Sequence, residues 1–337
     1  MPAAGIPLDR LALRSLRSTD LSAHLVLDPV RLAASVPQAT ALLARHRPDV
    51  IFTTGGYVAI PILAAAAALR IPSVLWDGNV IPGRSVRAVA RLATVVALTF
   101  PETEARLRSG RPTYVTGTPI RDPESIDREA ARERLEVPDG ARVLLVFGGS
   151  QAVARFNAAV AGAVPRLVAR VHVVHVTGDD GYAEALAARE ALPADVRDRY
   201  RPYPFLRDDM TAALAAADLV VGRAGSSTLA EVAAFGLPMV VVPYPHAAGH
   251  QRANARTLVD AGAAVFVDDA DFDADALVRA AGLLDDPRRH LEMAAAARAL
   301  GRPGAAAAVV ELIVALAERG PLPDAAAVQR LATRRPA

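Results

Sequence analysis

The stretch GRAGSSTLAE (222–231) sets two glycines, three hydroxyl side chains and a carboxylate between an apolar run, DLVV (218–221), and the helix-forming segment VAAFGL. Glycine lets backbone N–H groups approach an anion closely, and a helix starting there aims its positive end at the same point. The stretch FGGSQAVARFN (147–157) repeats this layout: Gly148 and Gly149 free the backbone, and Ser150 offers a hydroxyl and an N–H to a phosphate oxygen. Each loop has a plainer reading. Ser150 caps an ordinary β–α turn, and Thr228 with Glu231 forms a capping box. Alternatively, Glu231 sits at the carboxyl edge of a sheet, where a carboxylate binds two ribose hydroxyls. Periodicity does not separate these readings.

VPYPHAAGHQRANA (242–255) follows the next apolar run and holds His246, His250, Gln251 and Asn254. The histidines are four apart but fall on a loop outside the HExxH pattern, which argues against zinc. Gln251 and Asn254 share one face of a starting helix, where side-chain amides suit sugar hydroxyls or simply cap the helix. His172 and His175 fall on opposite faces of one strand and read as structural. Earlier in the chain, TTGGYVAIP (53–61) is another strand–glycine–helix junction. WDGNVIPGR (76–84) offers Asp77 and Asn79, and GTPIR (117–121) presents Arg121, a plausible diphosphate clamp if it faces a crevice.

These loops need strands to end at one edge, and the sequence supplies them. DVIFTT (49–54), SVLW (73–76), VVAL (95–98) and TYVTG (113–117) alternate with alanine-rich helical segments. The pattern restarts with RVLLVFGG (142–149), VHVVHVTG (171–178), DLVVG (218–222), MVVVPY (239–244) and AAVFVD (263–268). Strands joined by helical crossovers predict an α/β protein with two doubly wound parallel-sheet domains. The charged segment 122–141 marks the boundary, giving domains over 1–120 and 121–320, with the last helices returning to the first domain and a tail over 321–337. The chain's 337 residues suffice for two cores.

The formal charge is only +2, and all the strongly basic residues are arginine, so charge alone gives no argument for nucleic acid. Without cysteine there is no disulfide framework and no thiolate metal site. No apolar run reads as long enough to cross a bilayer, for which about 20 residues are needed.

Taken in order, PDVIFTTGGYVAIP, IPSVLWDGNVIPGR, VTGTPIR, LLVFGGSQ, AGSSTLAEVAAFGLPMVVVPYPHAAGHQRANA and the helix-rich close resemble the MurG family over about residues 45–300. Similarity is weaker from GIPLDRLALRSLR onward. The resemblance implies two Rossmann-like domains in the glycosyltransferase-B arrangement and transfer of N-acetylglucosamine from UDP-GlcNAc to the undecaprenyl-linked acceptor lipid I, forming lipid II with inversion. It implies no metal, no cofactor and no nucleic-acid partner, and a peripheral place on the cytoplasmic face of the plasma membrane. By position, Glu231 would hold the ribose hydroxyls, Ser150 and Arg121 would face the diphosphate, and His250, Gln251 and Asn254 would read the sugar. Gln151 and Asn79 are further expected substrate-binding residues, and Gly148, Gly149 and Gly225 would shape the phosphate loops.

Two departures matter. The family's opening strand, glycine-rich loop and helix do not precede MPAAGIPLDR, so the first domain is expected to be truncated at its N-terminus, with a strand edge or apolar surface uncovered. The family's HEQN is WDGN here, which leaves Asp77 as the local carboxylate to nominate for the catalytic base. A donor-binding but catalytically impaired homologue, or a related lipid glycosyltransferase with another acceptor such as a diacylglycerol, are the alternatives. RLALRSLR (10–17) reads as a small basic amphipathic element able to touch anionic lipid, or as a solvated helix face.

Overall fold

Short β-branched runs separated by helical segments of eleven residues or so leave parallel pairing through crossovers as the simple way to bury both faces of each strand. The computed structural model describes residues 5–11, 24–148, 154–206, 209–247 and 249–334. RLALRSLR beyond Leu11, together with Gly149, Ser150 and Gln151, lies outside the described residues. The chain divides into two compact units, 1–117 with 307–331, and 118–306 with 332–337.

In the first unit, α1 (His24–His46), β1 (Ile51–Thr53), α2 (Ala59–Leu69), β2 (Ser73–Asp77), α3 (Arg84–Val89), β3 (Val95–Leu98), α4 (Glu102–Leu107) and β4 (Thr113–Val115) build a parallel sheet of order β1-β2-β3-β4. Leu63 from α2 and Val86 from α3 join Leu75, Val96 and Leu98 in its core. Each such fully buried side chain contributes about 1.5–3 kcal/mol. On the other side Ala39 and Leu43 of α1 pack with Ile51, Ala65 and Ala66. Among the described residues β1 is an edge strand, and its Phe52 is exposed.

The second unit begins with α5 (Arg128–Arg134) and continues β5 (Val143–Phe147), α6 (Ala154–Leu167), β6 (His172–Val176), α7 (Asp179–Glu190), β7 (Tyr200–Tyr203), α8 (Met210–Ala216) and β8 (Leu219–Gly222). Then follow α9 (Ser226–Phe235), β9 (Met239–Val241), α10 (His250–Asp260), β10 (Ala264–Phe266), α11 (Ala274–Ala281) and α12 (Pro287–Leu300). The six parallel strands lie in the order β10-β9-β8-β5-β6-β7. The central β5 and β8 are wholly buried, as near-continuous apolar runs should be in a sheet covered on both faces. The sequence reading missed β7. Its YRPY carries a proline that argues against a central strand, yet β7 is at the sheet edge, where a missing N–H is tolerated.

Two further expectations need correction. By length and composition the span Pro287–Ala317 contains a window apolar enough to cross a membrane. It is divided at Gly301–Gly304 into α12 and α13 (Ala305–Ala317), and Ala297, Ala305, Ala308 and Leu312 are buried within the protein. The expected tail from 321 instead holds α14 (Ala325–Thr333), because its Val328 finds an apolar site and is buried. Just before it, the Tyr114 hydroxyl donates to the Pro323 carbonyl at 3.1 Å, tying the returning segment to β4.

Candidate active site

The register of the second sheet decides what stands at its carboxyl edge. Tyr203, Val176, Phe147, Gly222, Val241 and Phe266 are successive partners across all six strands. Gly148, Arg223 and Val242 therefore leave the sheet at one level, and the loops they begin gather at one edge. Gly222 is needed for that closeness, since a Cβ there would lie 3.1 Å from the Phe147 carbonyl oxygen. Ligand crevices in open parallel sheets form at such an edge.

Helix α9 begins at Ser226 with Gly225 as its N-cap, and no side chain caps it. The capping-box reading of Thr228 and Glu231 thus fails: Thr228 is already within the first turn, and Glu231 is one turn further in. Gly225 contributes an extended backbone (φ −66°, ψ 142°) that leaves the first N–H groups of α9 at the edge. Glu231 is half-buried. Burial pushes its carboxyl above the ordinary range, while the exposed Arg121 guanidinium draws it partly back. These two residues, 110 positions apart in sequence, therefore share one electrostatic neighbourhood in the second unit.

The loop after β9 ends at Gly249, whose φ of +80° caps α10 in the left-handed region that a side chain would strain. His250 opens the helix and is half-buried, and its N–H donates to the Ala247 carbonyl at 2.9 Å. Gln251 is turned to the backbone: its Oε1 accepts from the N–H groups of Tyr244 at 2.9 Å and Ala224 at 3.2 Å. Asn254 is fully buried, and its Nδ2 donates to the Ala224 carbonyl at 3.4 Å. The amides expected to read a sugar thus cross-tie the loops after β8 and β9. For Asn254 the cause is its place on the inward face of α10 beside Ala255 and Leu258.

Sequence reasoning overlooked Arg223, which it counted only as part of a glycine-rich stretch. The side chain is 5% exposed and ion-paired to Asp269, and its Nη1 also donates to the carbonyls of Val242 at 3.2 Å and Pro243 at 3.4 Å. Its guanidinium carbon stands 4.7 Å from the Phe156 ring centre and 5.4 Å from that of Tyr244. The available signal was an arginine directly behind an apolar strand, away from any charged face. Sharing Tyr244 and Asp269 with this group, a cleft of about 420 Å³ is lined also by Arg155, Gly249 and Arg252 among others. Of the two β6 histidines, His175 is structural, as read: buried, it meets the Tyr200 hydroxyl through Nδ1 at 3.0 Å, and burial pushes its pKa down to about 3. No cluster of metal-ligating side chains occurs among the described residues.

In the first unit, Asp77 ends β2 and is 3% exposed. Its Oδ1 accepts from the Asn79 N–H at 3.2 Å, an Asx turn that shapes the exit from the strand. The half-buried Asn79 is fixed in turn, because Thr103 Oγ1 donates to its carbonyl at 2.9 Å. Trp76, in the place of a family histidine, donates from Nε1 to the Gly117 carbonyl at 2.9 Å. A buried carboxylate that holds a turn is poorly placed to receive a substrate proton, which counts against the nomination of Asp77.

Comparison with known proteins gives the same architecture. Residues 1–98 match the Glycosyltransferase family 28 N-terminal domain, and residues 143–309 match the Glycosyltransferase family 28 C-terminal domain. A UDP-N-acetylglucosamine–N-acetylmuramyl-(pentapeptide) pyrophosphoryl-undecaprenol N-acetylglucosamine transferase of Desulforudis audaxviator is 38% identical over 328 residues, covering 95% of this chain and 84% of that one. The Moorella thermoacetica protein of the same name is 37% identical over 330 residues, covering 95% and 88%. Among solved structures, Acinetobacter baumannii MurG superimposes with a TM-score of 0.72 at 27% identity, covering 93% of this chain and 86% of that one. Two Rossmann-like domains of the glycosyltransferase-B class, family 28 matches in both halves and relatives of one name along most of the length leave a single assignment: the chain belongs to the MurG family of glycosyltransferase family 28.

Proposed function

We infer that the chain is an inverting hexosyltransferase that moves N-acetylglucosamine from UDP-N-acetylglucosamine to N-acetylmuramyl-(pentapeptide) pyrophosphoryl-undecaprenol, turning lipid I into lipid II. Relatives that carry this activity in their names are 37–38% identical over 95% of the chain. The acceptor's undecaprenyl tail needs an apolar phase, which in a cell is the bilayer, so the reaction runs at a membrane surface, and as a peptidoglycan step at its cytoplasmic face.

The donor belongs to the carboxyl edge of the second sheet. The observation that carries this is Glu231, a half-buried carboxylate one turn into an uncapped helix, with a guanidinium as its neighbour. A carboxylate there accepts hydrogen bonds from both ribose hydroxyls, and Arg121 is available to the diphosphate. Gly148, Gly225 and the free N–H groups of α9 suit phosphate oxygens, and Gly149, Ser150 and Gln151 complete that loop in the sequence. His250 and the amide nitrogen of Gln251 are the groups assigned to the sugar. The acceptor hydroxyl attacks the anomeric carbon, the bond to the diphosphate breaks on the opposite face, and the hydroxyl proton passes to a base that Asp77 is not well placed to be. Charge developing on the leaving UDP meets Arg121 and the helix N-terminus.

Calorimetry with UDP, followed by a transfer assay with radiolabelled UDP-GlcNAc and lipid I in detergent, tests the reading. Micromolar UDP binding and label in the lipid fraction are expected. A folded chain that binds no UDP would overturn it.

A further inference from the structure

We propose that Arg223 is a positioning residue that locks the loops of the donor site to one another, with Asp269 holding it from behind. The idea rests on the donor reading above for its function, but its geometry stands independently. An arginine only 5% exposed is costly unless its charge and donors are satisfied. Here the satisfying groups come from separate segments, and the charge on Arg223 adds to the ties that Gln251 and Asn254 already make between the loops after β8 and β9. Val242 and Pro243 begin the loop that leads to His250, and both give their carbonyls to Arg223. Phe156, whose ring the guanidinium faces, lies in the first turn of α6. Arg223 itself precedes Gly225 and the α9 start, so one side chain joins the loop after β8, the loop after β9 and the start of α6.

Asp269 extends the bracket. One carboxylate oxygen pairs with Arg223, and the other faces Arg155 Nε at 3.4 Å. Arg155 in turn donates to the Ala270 carbonyl at 3.2 Å, so the segment after β10 is fastened to the start of α6. Lysine could keep the charge but not the planar group that approaches both the Phe156 and Tyr244 rings. An apolar replacement could fill the space, but it would strand two carbonyls and a carboxylate. Arg223 touches none of the reacting atoms in this scheme; it acts through the loops it ties.

The test compares R223M, R223K, D269N and the R223M/D269N double variant with the full wild-type chain. Hydrogen exchange on ligand-free protein reads loop order without reference to any substrate, and calorimetry with UDP plus steady-state kinetics reads function. In R223M, exchange across 242–249 should rise at least tenfold while β5 stays protected. UDP Kd and the KM for UDP-GlcNAc should rise tenfold or more, with the acceptor KM within twofold of wild type. R223K should fall between, D269N should show a few-fold effect, and across 242–249 the double variant should be no worse than R223M, since Asp269 reaches that loop only through Arg223. Unchanged loop exchange and UDP Kd in folded R223M would overturn the proposal, as would exchange that rises equally in β5, which marks general destabilisation. If R223M does not fold, R223K and D269N decide by the same selective pattern or its absence. A wild-type chain that binds no UDP would sink the donor reading alone, and loop exchange would still decide on the bracket.

Discussion

The carboxyl edges of the two sheets are built from similar loops and use charge in opposite ways. In the second unit a buried arginine and two amides are committed to backbone groups, and Glu231 lies at the edge they frame, within the electrostatic reach of Arg121. In the first unit the only carboxylate ending a strand, among the described residues, is turned inward to shape its own loop. One edge spends its buried polar groups on framing a charged site. The other spends its carboxylate on the fold itself. Donor recognition is accordingly expected to fail sharply with single charge changes, and the first unit's edge to tolerate them.

The largest effect should come from Glu231→Gln, which keeps shape and removes charge. Loss of a bidentate charged acceptor costs about 2 kcal/mol, so UDP affinity should fall about 30-fold by calorimetry. Burial has raised the Glu231 pKa, so the folded state favours the protonated form and loses stability as pH rises through that value. The variant's Tm at neutral pH should therefore hold or rise, and a clear drop in Tm would show that the carboxylate is structural.

Next in size is Gln251→Leu, which strands the N–H groups of Ala224 and Tyr244. Stability measured by urea unfolding should fall by about 1–3 kcal/mol, together with a higher KM for UDP-GlcNAc. If only KM moves, Gln251 belongs to the sugar after all.

His175 probes the same sheet one residue below the edge, where it pairs with Val146 and Pro202. There a titratable ring is kept neutral, its pKa lowered from 6.5 to about 3. The unfolded chain binds this proton first, so stability is present above pH 6.5 and is lost as pH falls towards 3, at up to about 1.4 kcal/mol per pH unit. His175→Phe should flatten that part of the stability profile, and an unchanged slope would place the acid sensitivity elsewhere.

The smallest effect is expected from Asp77→Asn, because an amide oxygen can still accept from the Asn79 N–H. Turnover should drop less than tenfold. A loss above a hundredfold with Tm intact would restore Asp77 as the base and break the contrast between the two edges.

Much of this was legible in the sequence, for identifiable reasons. Nine of the ten strands among the described residues announce themselves as β-branched runs, and a glycine closes or soon follows six of them, β1, β2, β4, β5, β6 and β8. What hid was burial. Asn254 and Gln251 look alike as side-chain amides near a helix start, and only the inward face of α10 makes one of them core. The Thr228-to-Glu231 spacing satisfies a capping box, but the backbone starts the helix at Ser226 and leaves that box unused. Arg223 was invisible because its partners lie from 19 residues on, at Val242, to 46, at Asp269, and no local pattern reports contacts at that range.

The returning segment has a consequence for how the chain is made. The first unit needs residues 307–331, which bury Leu312 and Val328 and meet Tyr114 through Pro323. Emerging from the ribosome, residues 118–306 have almost their whole unit available before the first unit has its last helices. The half of the protein that is translated first therefore cannot complete its core until residues 307–331 follow, and until then its apolar faces wait for a segment still being synthesised.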